Sequence, residues 1–372
     1  MNRLRKIFKR FERGQVVVVV AGLLPVVLGM TGLAVDVATY AGDRRALQNA
    51  ADSIAISASK ELPDADATLA AANEWAVKND IDPDDMIVTI TGGTTAPKVH
   101  VRINRSHEFF FIRALGVSER GIGASAAAVK VSMGGGAGIV PWSVTQSTID
   151  NSEWGEEVIL KYDADGANLG NFGAIRIDGS GASTYETSAK FGSNTVACAE
   201  TAAPGCDSTA CPGVYPDVCA ETAPECDGPE CTPETGNMTT PTERAVDYRI
   251  EHTTDDCDTF DEVFDEAGEG GMHHLNPDCN PWIDGPGKCT STTDMCSRRV
   301  IIIPVVDTFG EGTSDAATVQ RFAMFFLEGY EGRCTGSNCE ITGRFVRAEL
   351  TTGALAGTYD EDASIHFTRL SE

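Results

Sequence analysis

Five groups of residues have types and spacings that could do chemistry. His107 begins "HEFFF", the opening of the zinc-protease pattern in which two histidines four apart share a helix face around a glutamate. Phe111 stands where the second histidine is required, so that pattern is incomplete. "DADGAN" from Asp163 gathers two carboxylates and an amide oxygen in a glycine-containing loop, suitable in type for Ca²⁺. Gly166 directly follows the second aspartate and no glutamate closes the loop, so a solvated acidic turn is the simpler reading. The apolar run "VIIIPVV" ends at Asp307, as a strand feeding a cation site would, but Phe309 and Glu311 occupy the two positions where hydroxyls would join the cation's oxygen shell. Asp307 is therefore expected to be a strand-end turn residue. His273 and His274 lie near Asp278 and Cys279 without a Gly-x-Ser-x-Gly elbow. "GIGASA" from Gly121 has dinucleotide-loop spacing but leads into an alanine-valine strand instead of opening a helix. These residues assign no catalytic, cofactor or metal site, and the expectation is a protein that is not an enzyme.

The twelve cysteines carry a different chemistry. All lie at or beyond Cys198, and an even count confined to one half of the chain reads as disulfides formed in an oxidising compartment. "CTGSNC", Cys334 to Cys339, is spaced to staple its own turn, and Cys206 with Cys211 and Cys226 with Cys231 have the same spacing. "CAETAAPGCDSTACPG" and "CAETAPECDGPECTP" are near copies. Poor in large apolar side chains, this duplicated stretch needs crosslinks to hold it and is expected to be a surface insertion over 198–231. A zinc site is disfavoured by gaps longer than the usual Cys-x2-4-Cys and by the distance to the nearest histidine, His252.

The elements that must position such a domain begin at the N-terminus. Val16 to Val35 contains no charge, and twenty helical residues at ~1.5 Å each match a bilayer's ~30 Å hydrocarbon core. Pro25 and Gly22, Gly29 and Gly32 would weaken a soluble helix but are tolerated in lipid, where small residues admit a neighbouring helix; these three glycines are the candidate membrane-helix packing positions. Arg3, Arg5, Lys6, Lys9, Arg10 and Arg13 against Glu12 hold the leader in the cytoplasm, so whatever follows Asp36 is exported. Three fates remain open for the run: a permanent anchor in the inner membrane, a cleaved signal peptide, or the core helix of a pilin-like subunit. Signal peptides carry a shorter apolar core of ~7–15 residues. Leu47, Ala51, Ile54 and Ala58 recur at helical spacing, so the span is expected to continue outward as an amphipathic stalk up to Pro63.

The net charge of −26 includes the basic leader, so the rest is more acidic still. Such a surface repels phosphates and excludes most nucleic-acid and anionic-membrane roles. The divisions expected are a leader (1–14), a transmembrane helix (15–36), a helical stalk with a small α+β region (37–133), a glycine linker (134–138) and an exported β-rich domain (139–372). "EEVILKY", "FGAIRI", "RRVIIIPVV", "ITGRFVRAEL" and "SIHFTRL" supply its strands. "FAMFFLEGY" from Phe322 fits helix or strand. The fold class is α+β.

From Arg13 to about Met133 the chain resembles TadE/TadG-like proteins of Flp (Tad) pilus assembly. "ERGQ", "GLAVDVATY" and "DRRALQNAADSIAISA" carry the resemblance, followed in family order by "MIVTI", "KVHVRI", "HEFFFIRALG" and "GIGASAAAVKVSM". "PWSV", "LKYD", "GNFGAIRIDGSGASTY" and "ETGNMTTPT" are similar to the C-terminal region of some TadG-like proteins, a region with no assigned reaction; the cysteine repeats depart from it. The resemblance implies a single-pass, extracytoplasmic protein whose partners are other Tad assembly proteins or pilins, acting in assembly, anchoring or tip structure. Some longer TadG proteins carry a von Willebrand A domain, whose metal site Phe309 and Glu311 do not reproduce. The alternatives are a pseudopilin within the filament, or an exported adhesin or hydrolase on a generic anchor. Prepilin cleavage would fall after Gly14, but Val19 replaces the glutamate expected at the fifth mature position. Oligomeric state is not legible.

Overall fold

The computed structural model describes residues 2–161, 173–200, 202, 230–231, 238–253, 255–265, 271–281, 296–307, 317–330, 334, 339–350 and 355–371. The chain divides into two compact units, one of 1–91, 98–129 and 370–372, the other of 92–97 and 130–369.

In the first unit a single helix, α1 (Asn2–Ser59), carries both the apolar run and the stalk, with Pro25 inside it. It ends near the stop expected at Pro63. A short turn leads to Asp64, whose Oδ1 accepts from the backbone N–H of Asp66 and Ala67, each at 2.9 Å, and so caps α2 (Ala65–Lys78). Strands β1 (Met86–Thr91), β2 (Lys98–Glu108) and the first part of β3 (Glu119–Gly136) form an antiparallel sheet in sequence order. On β2, Val99, Val101 and Ile103 point inward while His100, Arg102 and Asn104 point out, the alternation a half-buried strand demands. The inward residues meet Leu47, Ala51, Ile54, Ala55 and Ala58 of α1 and Ala72 and Ala76 of α2. Alanines allow close approach, and each fully buried Leu or Ile contributes about 1.5–3 kcal/mol. The stalk is held by this core, not by helix propensity.

Beyond the rest of β3, the second unit contains β4 (Val144–Thr145), α3 (Gln146–Asp150), β5 (Glu157–Lys161), α4 (Ala182–Phe191), β6 (Ala197–Cys198), β7 (Glu230–Cys231), α5 (Thr239–Glu251), α6 (Phe260–Val263), β8 (Met272–His273), β9 (Val300–Val306), β10 (Ala317–Tyr330), β11 (Ile341–Glu349), β12 (Leu355–Ala356) and β13 (Ile365–Ser371). Its sheet runs β13-β11-β10-β9-β4. β9 is buried throughout, and its alternate residues enter two different cores. Ile301, Ile303 and Val305 pack with Trp142, Tyr185 and Ala189 and with Ala245 and Val246 of α5. Val300, Ile302 and Val306 pack with Ile175, Ile177, Val263 and Phe264. Burial on both faces is why the run reads as continuously apolar. β10 divides the same way, Phe325 to one core and Phe326 to the other, so "FAMFFLEGY" is strand.

One expectation is corrected. Gly134, Gly135 and Gly136 are not a flexible linker but the end of β3: a Cβ on Gly134 would lie 2.7 Å from the Ala356 carbonyl oxygen and 2.8 Å from the Ala202 and Gly357 Cα atoms, so glycine serves close backbone approach. The second unit also contains helices within its β-rich, α+β architecture: α4 and α5 pack together on one core. Trp142 Nε1 donates to Tyr185 Oη at 2.7 Å, and Tyr185 Oη shares a 2.8 Å hydrogen bond with Thr242 Oγ1, satisfying the buried polar atoms between these helices and the sheet. Arg249 of α5 donates to the carbonyls of Ala189 (2.6 Å) and Arg298 (2.8 Å); burial pushes its guanidinium down to about 9.

A Cβ on Gly343 would overlap the Phe326 carbonyl oxygen and the Phe325 ring. Gly343→Ala is expected to destabilise the chain by about 1–3 kcal/mol through overpacking, while Gly121→Ala, which meets open space, is neutral. Urea unfolding of the solubilised protein measures both. Burial also pushes the His366 imidazole from 6.5 down to about 4; its Nε2 lies 2.8 Å from the Asp360 carbonyl oxygen, and its buried Nδ1 has no hydrogen-bond partner among the described residues. Since the folded value lies below the unfolded one, the stabilisation is complete above pH 6.5 and lost as pH falls towards 4, by about 3 kcal/mol. His366→Phe is expected to remove this step from the pH–stability profile.

Candidate functional site at the C-terminal end of the apolar run

Between Val17 and Val37 nearly every large side chain of α1 is exposed, and the helix is long and apolar enough to cross a membrane. The covered positions there are Gly32 and Asp36, followed by half-buried Tyr40 and then buried Leu47. Steps of four and seven keep these residues on one helix face. The segment that covers them is the turn between β2 and β3.

Asp36 is 2% exposed, and its carboxylate accepts three consecutive backbone N–H groups: Phe110 at 3.1 Å on Oδ1, and Phe111 at 2.8 Å and Ile112 at 2.6 Å on Oδ2. These donors lead into the 3-10 turn Ile112–Leu115, whose first amides have no partner within the turn. The carboxylate therefore caps a turn 74 residues away in sequence. Charge-assisted hydrogen bonds of this kind are about twice as strong as neutral ones. The turn closes with Gly116 at φ 91°, its N–H donating to Arg113 O at 3.0 Å, and with Phe109 N donating to Ser118 O at 2.9 Å.

One helical turn towards the N-terminus, Phe111 lies over Gly32, where a Cβ would come within 2.6 Å of the ring. One turn the other way, Tyr40 meets His107 edge-on at 5.5 Å and stacks on Phe109 at 6.0 Å, with the Arg120 guanidinium 6.0 Å above it. His107 Nδ1 lies 2.6 Å from Asp43 Oδ2, and its buried Nε2 has no hydrogen-bond partner among the described residues. Further along, Gln48 Nε2 donates to Ser125 O at 3.0 Å and Asp52 Oδ1 at 2.8 Å. There α1, β1, β2 and β3 border an open groove lined by Arg44, Gln48, Asp52, His100, Arg102 and Asn104. The arrangement orders a helix against a sheet; it aligns no nucleophile with a base.

The residues singled out by sequence are dispersed. His107 ends a strand, so "HEFFF" forms no helical zinc pattern, and "GIGASA" lies within β3. Asp307 follows β9; its Oδ1 accepts from Thr318 N at 3.1 Å, as suits a strand-end residue. His273 lies among the rings of Phe260 and Phe264, and burial lowers its pKa. "DADGAN" lies outside the described residues, among which no three His, Cys, Asp or Glu side chains are grouped to hold a metal. Disulfides join Cys334 to Cys339 and Cys257 to Cys279, and Cys198 and Cys296 are also disulfide-bonded. Cys231 ends β7, whereas Cys206, Cys211 and Cys226 lie outside the described residues. Of the candidate packing glycines, Gly22 and Gly29 face open space and Gly32 faces Phe111.

The helix that carries the clasp also decides the comparison. Residues 14–73 match the family model for putative Flp pilus-assembly TadE/G-like proteins. The chain carries a TadE/G-like segment. That segment spans most of α1 and the larger part of α2, and so includes Gly32, Asp36, Tyr40 and Asp43. The loop that closes on them lies beyond the matched residues. No curated protein and no solved structure matches the chain. Sequence reading placed Asp36 only at the end of the transmembrane helix (15–36). The available signal was the Gly32–Asp36–Tyr40 spacing together with an aromatic cluster at Phe109–Phe111.

Asp36→Ala is expected to leave the Phe110–Ile112 amides unpaired. Faster hydrogen exchange at these amides and faster tryptic cleavage after Arg113 should follow, with Asp52→Ala as the control that changes neither.

Proposed function

We propose that this protein is a single-pass membrane protein acting without enzymatic chemistry in the assembly, anchoring or tip structure of a Flp-type pilus, in a TadG-like role. The observation that carries the reading is the coincidence of the TadE/G-like match with an apolar helical stretch whose large side chains are exposed from Val17 to Val37. A soluble fold would bury such a surface, and a bilayer accepts it without cost.

In this reading the leader from Arg3 to Arg13 stays in the cytoplasm and the residues that follow Asp36 lie outside the inner membrane, where disulfides form. Gly22 and Gly29 offer a bare helix surface to a neighbouring membrane helix, from another assembly protein or a pilin, while Phe111 already occupies Gly32. The disulfide-containing unit supplies protein-binding surface.

Deleting the gene is expected to abolish surface pili while pilin is still synthesised, with restoration by the wild-type chain and weaker restoration by Gly22→Leu with Gly29→Leu. Piliation and pilin secretion unchanged by the deletion would refute the reading.

A further inference from the structure

We propose that residues 109–117 form an apolar wedge that sits in the outer leaflet of the membrane crossed by α1. The proposal rests on the membrane-spanning reading of that helix. Phe110 and Leu115 are each 80% exposed, and Phe111 and Val117 are each 46% exposed, an apolar group too large for a short solvated turn to carry without a partner.

The depth of the turn identifies that partner as lipid. Phe111 covers Gly32, about 6 Å nearer the membrane centre along the helix than Asp36. Its ring thus lies alongside the uncharged span, and Leu28, Leu33, Val35 and Val37 of α1 are exposed at neighbouring levels, making a continuous apolar surface. Non-helical backbone at such depth must have its N–H groups paired, since hydrocarbon offers no water. The amides of Phe110, Phe111 and Ile112 are paired by Asp36. Arg113, on the same turn, and Arg105 and Arg120, on the flanking strands, are exposed and long enough to reach lipid phosphates while their stems stay with the apolar residues. The turn thereby fixes how deeply the first unit is seated and limits how far α1 can slide or tilt.

Site-specific photocrosslinking in native membranes tests this with the full chain. Phe110→p-benzoylphenylalanine and, separately, Leu115→p-benzoylphenylalanine are expected to give phospholipid adducts on irradiation, detected as added mass on the corresponding peptide. Val26 within the span is the positive control and Ile87, exposed on β1, the negative one. Lipid adducts at Val26 but none at positions 110 and 115 would overturn the wedge while leaving the membrane helix standing. Adducts at 110 and 115 confined to protein, whether a second copy or another chain, would overturn it equally. Absence of lipid adducts at Val26 would instead refute the spanning helix and the wedge with it.

Discussion

A carboxylate directly after twenty uncharged residues is an expensive place for a charge, and three backbone amides converging on Asp36 make it tolerable. The same contacts resolve a second problem, the unpaired donors at the start of the 110–115 turn. Each half would be costly alone. Because the acid belongs to α1 and the donors to the β2–β3 connection, the pairing fixes where the sheet sits along the helix. Gly32 below and Tyr40 above continue the contact by one turn each, and the core of Leu47, Ile54 and Ala58 extends it along the stalk.

The second unit is organised by a different constraint, a mixed sheet whose central strands are covered on both faces. β9 and β10 send alternate side chains to two cores, one roofed by α4 and α5, the other by the segments around Ile175 and Phe264 and by the Cys257–Cys279 crosslink. Such strands have no solvent face to mark with polar residues. Glycine is used where backbones or rings approach too closely for a Cβ, at Gly134 and Gly343.

The elements written in side-chain periodicity were legible in the sequence. The apolar run, the stalk face, and the strands at "VIIIPVV" and "ITGRFVR" follow from spacing, the order of β1 to β3 is what the TadE/G-like resemblance implies, and that resemblance has its counterpart in the match over 14–73. α4 and α5 were not legible, because "ASTYETSAKF" and "TTPTERAVDYRIE" are rich in Ser, Thr and Glu and owe their helicity to packing, not to propensity. "FAMFFLEGY" was ambiguous until both faces of the sheet were known to be buried. The clasp was hidden for another reason: its donors are backbone amides, which no residue type announces, and they lie 74 to 76 positions from the acid.

The central claim is that α1 remains in the mature protein as a permanent membrane anchor with its outer end locked by Asp36. Intact mass and N-terminal sequence of the native chain, taken from a membrane fraction washed with alkaline carbonate, test it most directly. The expected result is a carbonate-resistant chain that still carries the basic leader from Arg3 to Arg13. A chain starting at Gln15 would contradict the assembly-factor account in favour of a processed pilin-like subunit, and one starting beyond Val35 would contradict the anchor itself.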